Sequence, residues 1–491
     1  MKPVVLAVLL ASAARAGEVR LALSDAVAMA LESNLEVAIA RLGPETAEAE
    51  LQAAWAIFEP AAELTFMRTK EEEQSISFFG GADVGVTEEV TATAGLSQRL
   101  PTGGDLGLAY EQTREWSNSV FQEVNPAYRR GLELRLTQPL LDGGGIGVTK
   151  AGIVIAREFL RGTSAELQRD VAGIIERVCG LYWELVFRRE DLRVRQVSVR
   201  RAEDLLEKNR IRVDAGLMAP IEILAAEAGL AQRRVALILA EDALSDAEDN
   251  LCAALGLSLD ATPLPTDVPQ AALGRTDEAA ALETALSHRP ELEMAQAALD
   301  QEEEWVRMAC NGRLPELNLV GSYGWGGLGD TRAVAESEWL TGDYEVWSAG
   351  VELRVPLGGR SERGKLRRAR ADRDRASLAL QQTHRDISVE VMAAVRQVGS
   401  DARRVDAQRT VKRLQTDRLD KELKLLDEGL STSHDVLLYE EDLAQAESDE
   451  VRAVTDYVLS RVALSRAKGT LLDDHNVRVG SGAAYTGETE R

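Results

Sequence analysis

"VDAGLMAPIEIL", residues 213–224, interrupts a stretch that otherwise reads as helix. About seventy residues of helical pattern precede it, and the pattern resumes directly after it. A second stretch, "EGLSTSHDVL" (428–437), matches residues 215–224 at an offset of 213. Gly216 and Gly429 suit the left-handed residue just past a helix end. Pro220 suits the first position of the next helix, where its missing N–H is no loss. In the second copy Ser433 holds that place. Thr432 and Asp435 there form a T-x-x-D cap, where the first copy has Ala219 and Glu222. Each break therefore reads as a hairpin between two antiparallel helices, with tips near 214–221 and 427–434.

Working outward from the tips, the whole chain follows one plan twice. "ALESNLEVAIA", from Ala30, resembles "ALSHRPELEMA", from Ala285, at an offset of 255, and Pro60 meets Pro315 at the same offset. "LELRLTQPLLDGG" resembles "GVELRVPLGG", with Pro139 meeting Pro356 at 217. Between the two prolines the first copy spends 79 residues and the second 41, an excess of 38. That is the size of one additional strand pair, and "LPTGGDLGL" (100–108) reads as its turn. The predicted organisation is a signal peptide (1–16), a first repeat (17–259), a linker rich in Pro and Thr (260–276), a second repeat (277–472) and a disordered tail (473–491).

The segments between the helices alternate with period two. Leu132, Leu134 and Leu136 oppose Glu133, Arg135 and Thr137, and Val351, Leu353 and Val355 oppose Glu352 and Arg354. Ala62, Leu64 and Phe66, and likewise Leu106, Leu108 and Tyr110, repeat the pattern. Alternation alone fits any half-buried sheet, including a soluble one. Segments of about ten residues are long enough to cross a bilayer when tilted. Aromatics lie at their far ends: Trp116, Phe121 and Tyr128 in the first repeat, Trp325, Trp339, Tyr344 and Trp347 in the second. If the strands are in lipid, so few cannot close alone, because an open edge leaves backbone groups unpaired. Closure then requires several copies of the chain.

The helices carry packing stripes. Ile174, Val178, Leu181 and Leu185 recur every three or four residues. Ile223, Leu230, Leu237, Leu244 and Leu251 are spaced by seven, and their counterparts are Val436, Leu443, Glu450, Tyr457 and Leu464. A sustained repeat of seven means helices wound on neighbours.

Composition sets the remaining bounds. The formal charge is −24 over 491 residues, which argues against nucleic acid as a partner. "MKPVVLAVLLASAARAGEV" reads as a secretory signal, and its loss would bring the charge to −26. Cys179, Cys252 and Cys310 are far apart and read as small buried hydrophobes rather than a disulfide framework. "DGGGIGVTK" (142–150) lacks phosphate-loop spacing and reads as a strand-to-helix bend. The basic run at 360–375 reads as a solvated helix face. His288, His384, His434 and His475 have no ligand spacing among them. No catalytic constellation, metal site or cofactor is expected, and the chain is not read as an enzyme.

The ordered set of signal peptide, duplicated plan, paired strands, very long helices and "AGL…I…L" hairpins resembles the TolC family of outer-membrane efflux proteins, over residues 22 to about 472. The resemblance implies an α+β membrane protein: a homotrimer whose strands form one transmembrane β-barrel in the outer membrane of a Gram-negative-type cell. A long periplasmic α-helical coiled-coil barrel continues it. It also implies a channel for efflux or type I secretion, partnered by a periplasmic adaptor (membrane fusion) protein and an inner-membrane pump. Where such chains bring four strands each, the excess implies up to six here, 18 in a trimer. By position, Gly216, Leu217, Met218, Pro220, Gly429, Leu430 and Ser431 fall at the adaptor-facing tips. Asp435 matches an acidic ring at the periplasmic gate, and Glu222 is its counterpart in the first repeat. Leu438 stands where a second acid would be, and Leu426 and Ser431 where the resemblance implies gate-closing tyrosine and arginine. The competing reading is a coiled-coil envelope protein without a pore.

Overall fold

The computed structural model describes residues 18–74, 83–271, 274 and 277–479; the expected signal peptide lies outside them. In chain order the elements are β1 (Glu18–Leu21), α1 (Leu23–Ser33), α2 (Leu35–Trp55), β2 (Ala61–Gln74), β3 (Val84–Arg99), β4 (Asp105–Ser117) and β5 (Ala127–Pro139). Then come α3 (Ile146–Thr149), α4 (Ala151–Asp214), α5 (Ile221–Leu255), β6 (Thr262–Pro265), α6 (Glu278–His288) and α7 (Pro290–Asn311). The chain continues with β7 (Glu316–Gly329), α8 (Arg332–Thr341), β8 (Tyr344–Arg354), α9 (Arg360–Asp427), α10 (Ser433–Ala467) and α11 (Leu471–Asp474). Helix lengths fall in pairs: 64 and 68 residues for α4 and α9, and 35 each for α5 and α10. At 1.5 Å per residue α4 is about 96 Å long. Among the described residues no helix is long and apolar enough to cross a membrane.

The chain divides into two compact units, Met1–Glu45 with Thr163–Met294 and Gln381–Arg491, and Thr46–Gly162 with Ala295–Leu380. The second unit holds a six-stranded sheet in the order β2-β3-β4-β5-β7-β8, every neighbouring pair antiparallel. The 38 additional residues of the first half account for β3 and β4, and Leu100 N–H to the Gly104 carbonyl (2.7 Å) closes their turn. Register carries the period-two alternation across the whole sheet. The row Ala62, Leu96, Leu108, Leu134, Tyr323, Trp347 is apolar on all six strands. The adjacent row on the other face is Ala61, Ser97, Gly107, Arg135, Ser322, Ser348. Glu63, Glu111, Glu115 and Glu133 share this second face, with Arg129 on Glu115 at 2.5 Å. At the outer edge, β2 is exposed at every one of its 14 positions.

One of the aromatics expected at strand ends is placed otherwise, whereas Tyr344 begins β8. Trp339 lies in α8, its ring edge-on to Tyr110 at 5.6 Å between centroids. Tyr344 pairs with Gly326, on the face opposite Trp325 and Trp347. Period-two counting cannot foresee a helix inserted between two strands. Below the sheet, Asn311 clamps the glycine bend: its amide accepts from Gly143 N–H (2.8 Å) and donates to the Leu141 carbonyl (3.0 Å). The basic run at the start of α9 is exposed for the most part, with Arg375 and Arg368 paired to Asp372 one turn away.

The first unit is built around buried helix faces. Ile174, Val178 and Leu185 lie in one core with Tyr182, Leu251 and Leu255. The segment read as a linker is not a bare spacer there, since β6 pairs in parallel with β1. Tyr182, fully buried, donates to the Leu21 carbonyl (3.0 Å) and to Asp267 Oδ2 (2.7 Å). Burial pushes its phenol up to about 12. The expected tail starts later than residue 473, because α11 buries Leu471 and Val477 and Val479 pack on the core. Residues from 480 lie outside the described set. Cys179 and Cys252 are buried as expected, but Cys310 is exposed, a correction that follows from its place at the end of α7.

Candidate functional site

Both hairpin tips lie in the first unit and close in the same way. Gly216 has φ +75° and Gly429 φ +74°. Leu217 N–H reaches the Arg212 carbonyl (2.8 Å) and Gly216 N–H that of Val213 (2.9 Å). Leu430 and Gly429 repeat this on Leu425 (2.8 Å) and Leu426 (3.1 Å). This is the paired closure that satisfies the last carbonyls of a helix. Pro220 stands just ahead of α5 with helical angles, φ −57° and ψ −24°. Thr432 caps α10, accepting from Asp435 N–H (3.2 Å) and donating to Asp435 Oδ2 (2.6 Å).

A Cβ on either tip glycine would meet nothing within 4 Å, so any penalty there is purely conformational. Gly216→Val and Gly429→Val are each expected to cost about 1–2 kcal/mol of stability. The double variant should lose the sum. Urea denaturation of the detergent-solubilised protein measures both; a neutral Gly216→Val would mean that the turn has another conformation.

Leu217 and Leu430 are the most exposed large apolar residues of the tips, at 80% and 72%. Ile221 is exposed as well, whereas Met218 tucks against the seam of Leu205, Leu419, Leu426, Val436, Leu437 and Leu443. Of the apolar residues at the first tip, Leu217 and Ile221 thus remain exposed and Met218 is half-buried. The heptad positions pack: Leu230, Leu251, Val436, Leu443, Tyr457 and Leu464 are buried. Glu450, the break in that stripe, pairs with Lys412 of α9 at 2.8 Å.

Ties between the two hairpins run through Arg212 and Asn209, which the sequence pattern did not single out, and through Glu222, which it did. Arg212, in the last turn of α4, donates to the Leu426 carbonyl (3.0 Å) and to Asp427 Oδ1 (2.6 Å) at the end of α9. Asn209, fully buried, donates to Ser433 Oγ (2.8 Å). Glu222 Oε2 accepts the Ser433 N–H (3.0 Å), so a carboxylate from α5 sits at the positive N-terminus of α10. Ser431 donates to Glu422. Leu426 thus takes part in the ties through its carbonyl, whereas the Ser431 hydroxyl bonds within its own hairpin.

Two turns further in, a buried charge pair joins the hairpins. Arg233 donates to Ser198 Oγ (3.2 Å), the Gly229 carbonyl (3.3 Å) and the Leu437 carbonyl (2.7 Å), and lies 3.6 Å from Glu440 Oε2. Burial pushes the Glu440 carboxyl above its ordinary range, against the pull of Arg233 and Arg201. Among the described residues no cluster of His, Cys, Asp and Glu could hold a metal ion.

The model of the outer membrane efflux protein family matches residues 105–257 and 281–470. The chain belongs to that family, and it is an outer-membrane protein. The outer membrane protein TolC of Vibrio cholerae serotype O1 is 26% identical over 330 residues, covering 67% of this chain and 74% of that one. The pyoverdine export outer membrane protein OpmQ of Pseudomonas putida is 24% identical over 302 residues, 60% of this chain and 61% of that one. In fold, the chain is similar to the CmeC outer membrane channel of Campylobacter jejuni, at a TM-score of 0.66 and 15% identity, with 91% of this chain and 86% of that one covered.

Proposed function

We propose that three copies of this chain form one export channel, with the sheets closed edge to edge into an 18-stranded barrel and the long helices continuing it through the periplasm. A periplasmic adaptor and an inner-membrane pump would deliver the cargo. The observation that carries this reading is the sheet itself: one face apolar across six strands, the other polar, and two edges, β2 and β8, without a strand partner among the described residues. Each backbone group left unpaired in lipid costs several kcal/mol, so the edges must be covered by further copies. At about 4.8 Å between strands and a tilt of about 40°, 18 strands enclose a cylinder of roughly 36 Å diameter.

In this reading the polar face lines the pore, and its glutamates outnumber its arginines, which favours cations. The exposed tips, Gly216, Leu217, Pro220, Gly429 and Leu430, face the adaptor, with Met218 and Ser431 beside them. Asp435 and Glu222 stand at the periplasmic constriction. Unheated gels and native mass spectrometry in detergent should give a trimer, and planar bilayers a cation-selective pore. A water-soluble monomer without conductance would instead favour the envelope spacer. Asp435→Ala should weaken block by a multivalent cation such as hexamminecobalt by about tenfold, a change of about 1.4 kcal/mol. Thr432 would still cap the backbone N–H of residue 435, so unchanged block would place Asp435 away from the constriction.

A further inference from the structure

We propose that α8 is an interfacial helix that lies on the lipid-facing side of the sheet and contacts the outer leaflet near the boundary of headgroups and acyl chains. The inference rests on the reading that the apolar face of the sheet meets lipid.

Its side of the sheet follows from register. Gly327 and Gly329 share a face with Tyr323 and Trp325, which pair with Leu134 and Leu132. An ideal Cβ on Gly327 would lie 2.4 Å from the Ala335 carbonyl oxygen and from Trp339 N, and one on Gly329 2.6 Å from Ala335 N. The backbone of α8 thus rests directly on β7, on its apolar side, where two glycines make room. Trp339 then reaches Tyr110 of β4, which is in register with Leu132 on the same face. The helix is fastened by Thr331 Oγ1 accepting Val334 N–H (3.4 Å) and by Leu328 N–H on Glu338 Oε2 (3.3 Å).

The side chains divide as an interface requires. Glu336 pairs with Arg130 at 3.3 Å, and Arg130 is only 13% exposed, so α8 covers a charge that would otherwise stand on the apolar face. Ala335 is fully buried, whereas Val334 and Leu340 are exposed, Leu340 at 70%. An amphipathic helix with a tryptophan, outward aliphatics and flanking charges suits the headgroup boundary. The helix sits at the strand ends away from α7, which places it at one rim of the apolar band. It overlies β7 and reaches β5 and β4, inside the sheet rather than at the β2 edge or on β8, the strands a second copy would join. That position favours lipid over a neighbouring copy as the occupant.

The test uses the assembled protein in phosphatidylcholine vesicles, in a Cys310→Ser background because Cys179 and Cys252 are buried. Bimane is attached at Leu340→Cys, at Ala349→Cys on the apolar face of β8, and at Thr65→Cys on the polar face of β2. Emission at 340 should be lost to a lipid with its doxyl group near the headgroup, and less to one with doxyl near the chain end. Position 349 should be quenched by both lipids, and position 65 by aqueous iodide alone. Quenching at 349 with only iodide reaching 340 would overturn the helix assignment and leave the membrane reading intact. Loss of lipid quenching at 349 itself would overturn that reading. Quenching at 340 by neither lipid nor iodide would show protein cover, and would also sink the proposal.

Discussion

Replacing Arg233 by Met lowers the unfolding free energy of the chain by about 3–5 kcal/mol at neutral pH. Met fills a similar volume but carries no charge and no donor. The carbonyl of Leu437 and the hydroxyl of Ser198 lose their bonds, and Glu440, itself 5% exposed, loses the guanidinium 3.6 Å away. An uncompensated buried carboxylate is the costly part of that change. The pH dependence has a definite sign. Burial already raises the Glu440 carboxyl above the ordinary glutamate range, and removing Arg233 raises it further. The folded state then binds the proton more tightly than the unfolded one. The stability from this group is full below the unfolded value and is lost as pH rises through the folded one. The deficit of Arg233→Met should therefore shrink as the pH falls from about 7.5 to about 5. Urea denaturation at the two pH values checks this. A deficit that is the same at both would mean that Glu440 is not the group responsible.

If the proposed gate reading holds, removing the ties between the hairpin tips should raise the open fraction of the pore. Arg212→Ala removes the bond to the Leu426 carbonyl, whose residue is buried, and the pair with Asp427, whose side chain is 70% exposed. Exposure makes the second contact worth under about 1 kcal/mol. The first contributes about 1–1.5 kcal/mol. Glu222→Ala removes a charge-assisted bond at the N-terminus of α10, worth about 1.5 kcal/mol. Together the two changes come to about 3 kcal/mol, or roughly a hundredfold in a closed-to-open ratio. Single-channel recordings should show a larger and more persistent conductance for the double variant, with intermediate values for each single one. If conductance is unchanged while the protein melts normally, these contacts do not hold the constriction.

Much of the fold was legible because its signals are local. A glycine four residues before a proline at 216 and 220, matched by Gly429 with the Thr432 cap, specifies two helix ends from neighbouring backbone groups alone. The strand pair added in the first half was readable from the spacing of Pro60, Pro139, Pro315 and Pro356, since its turn has its own glycines. Period two placed the apolar rows of the sheet correctly, and period seven most of the buried positions of α5 and α10. The misplacements share a cause. Trp339 was read as a strand-end aromatic, yet it belongs to a helix whose seat is Gly327. The segment 260–276 read as a linker from its prolines, yet four of its residues pair with β1. Met218 fell by position at the tip, yet it packs against a seam made mostly by the other hairpin.

The sequence by itself thus determined the paired hairpins, the alternating strands and the family, because caps and periodicities are written within a few residues of where they act. Tertiary structure alone decided what joins the hairpins and which side of the sheet carries α8. Arg212 finds Asp427 across 215 residues, Glu222 finds Ser433 across 211, and Arg233 finds Leu437 across 204. A single long-range hydrogen bond repeats with no period and constrains no neighbour, so it leaves no pattern to read. Only the packing of α4 and α5 against α9 and α10 brings such partners together.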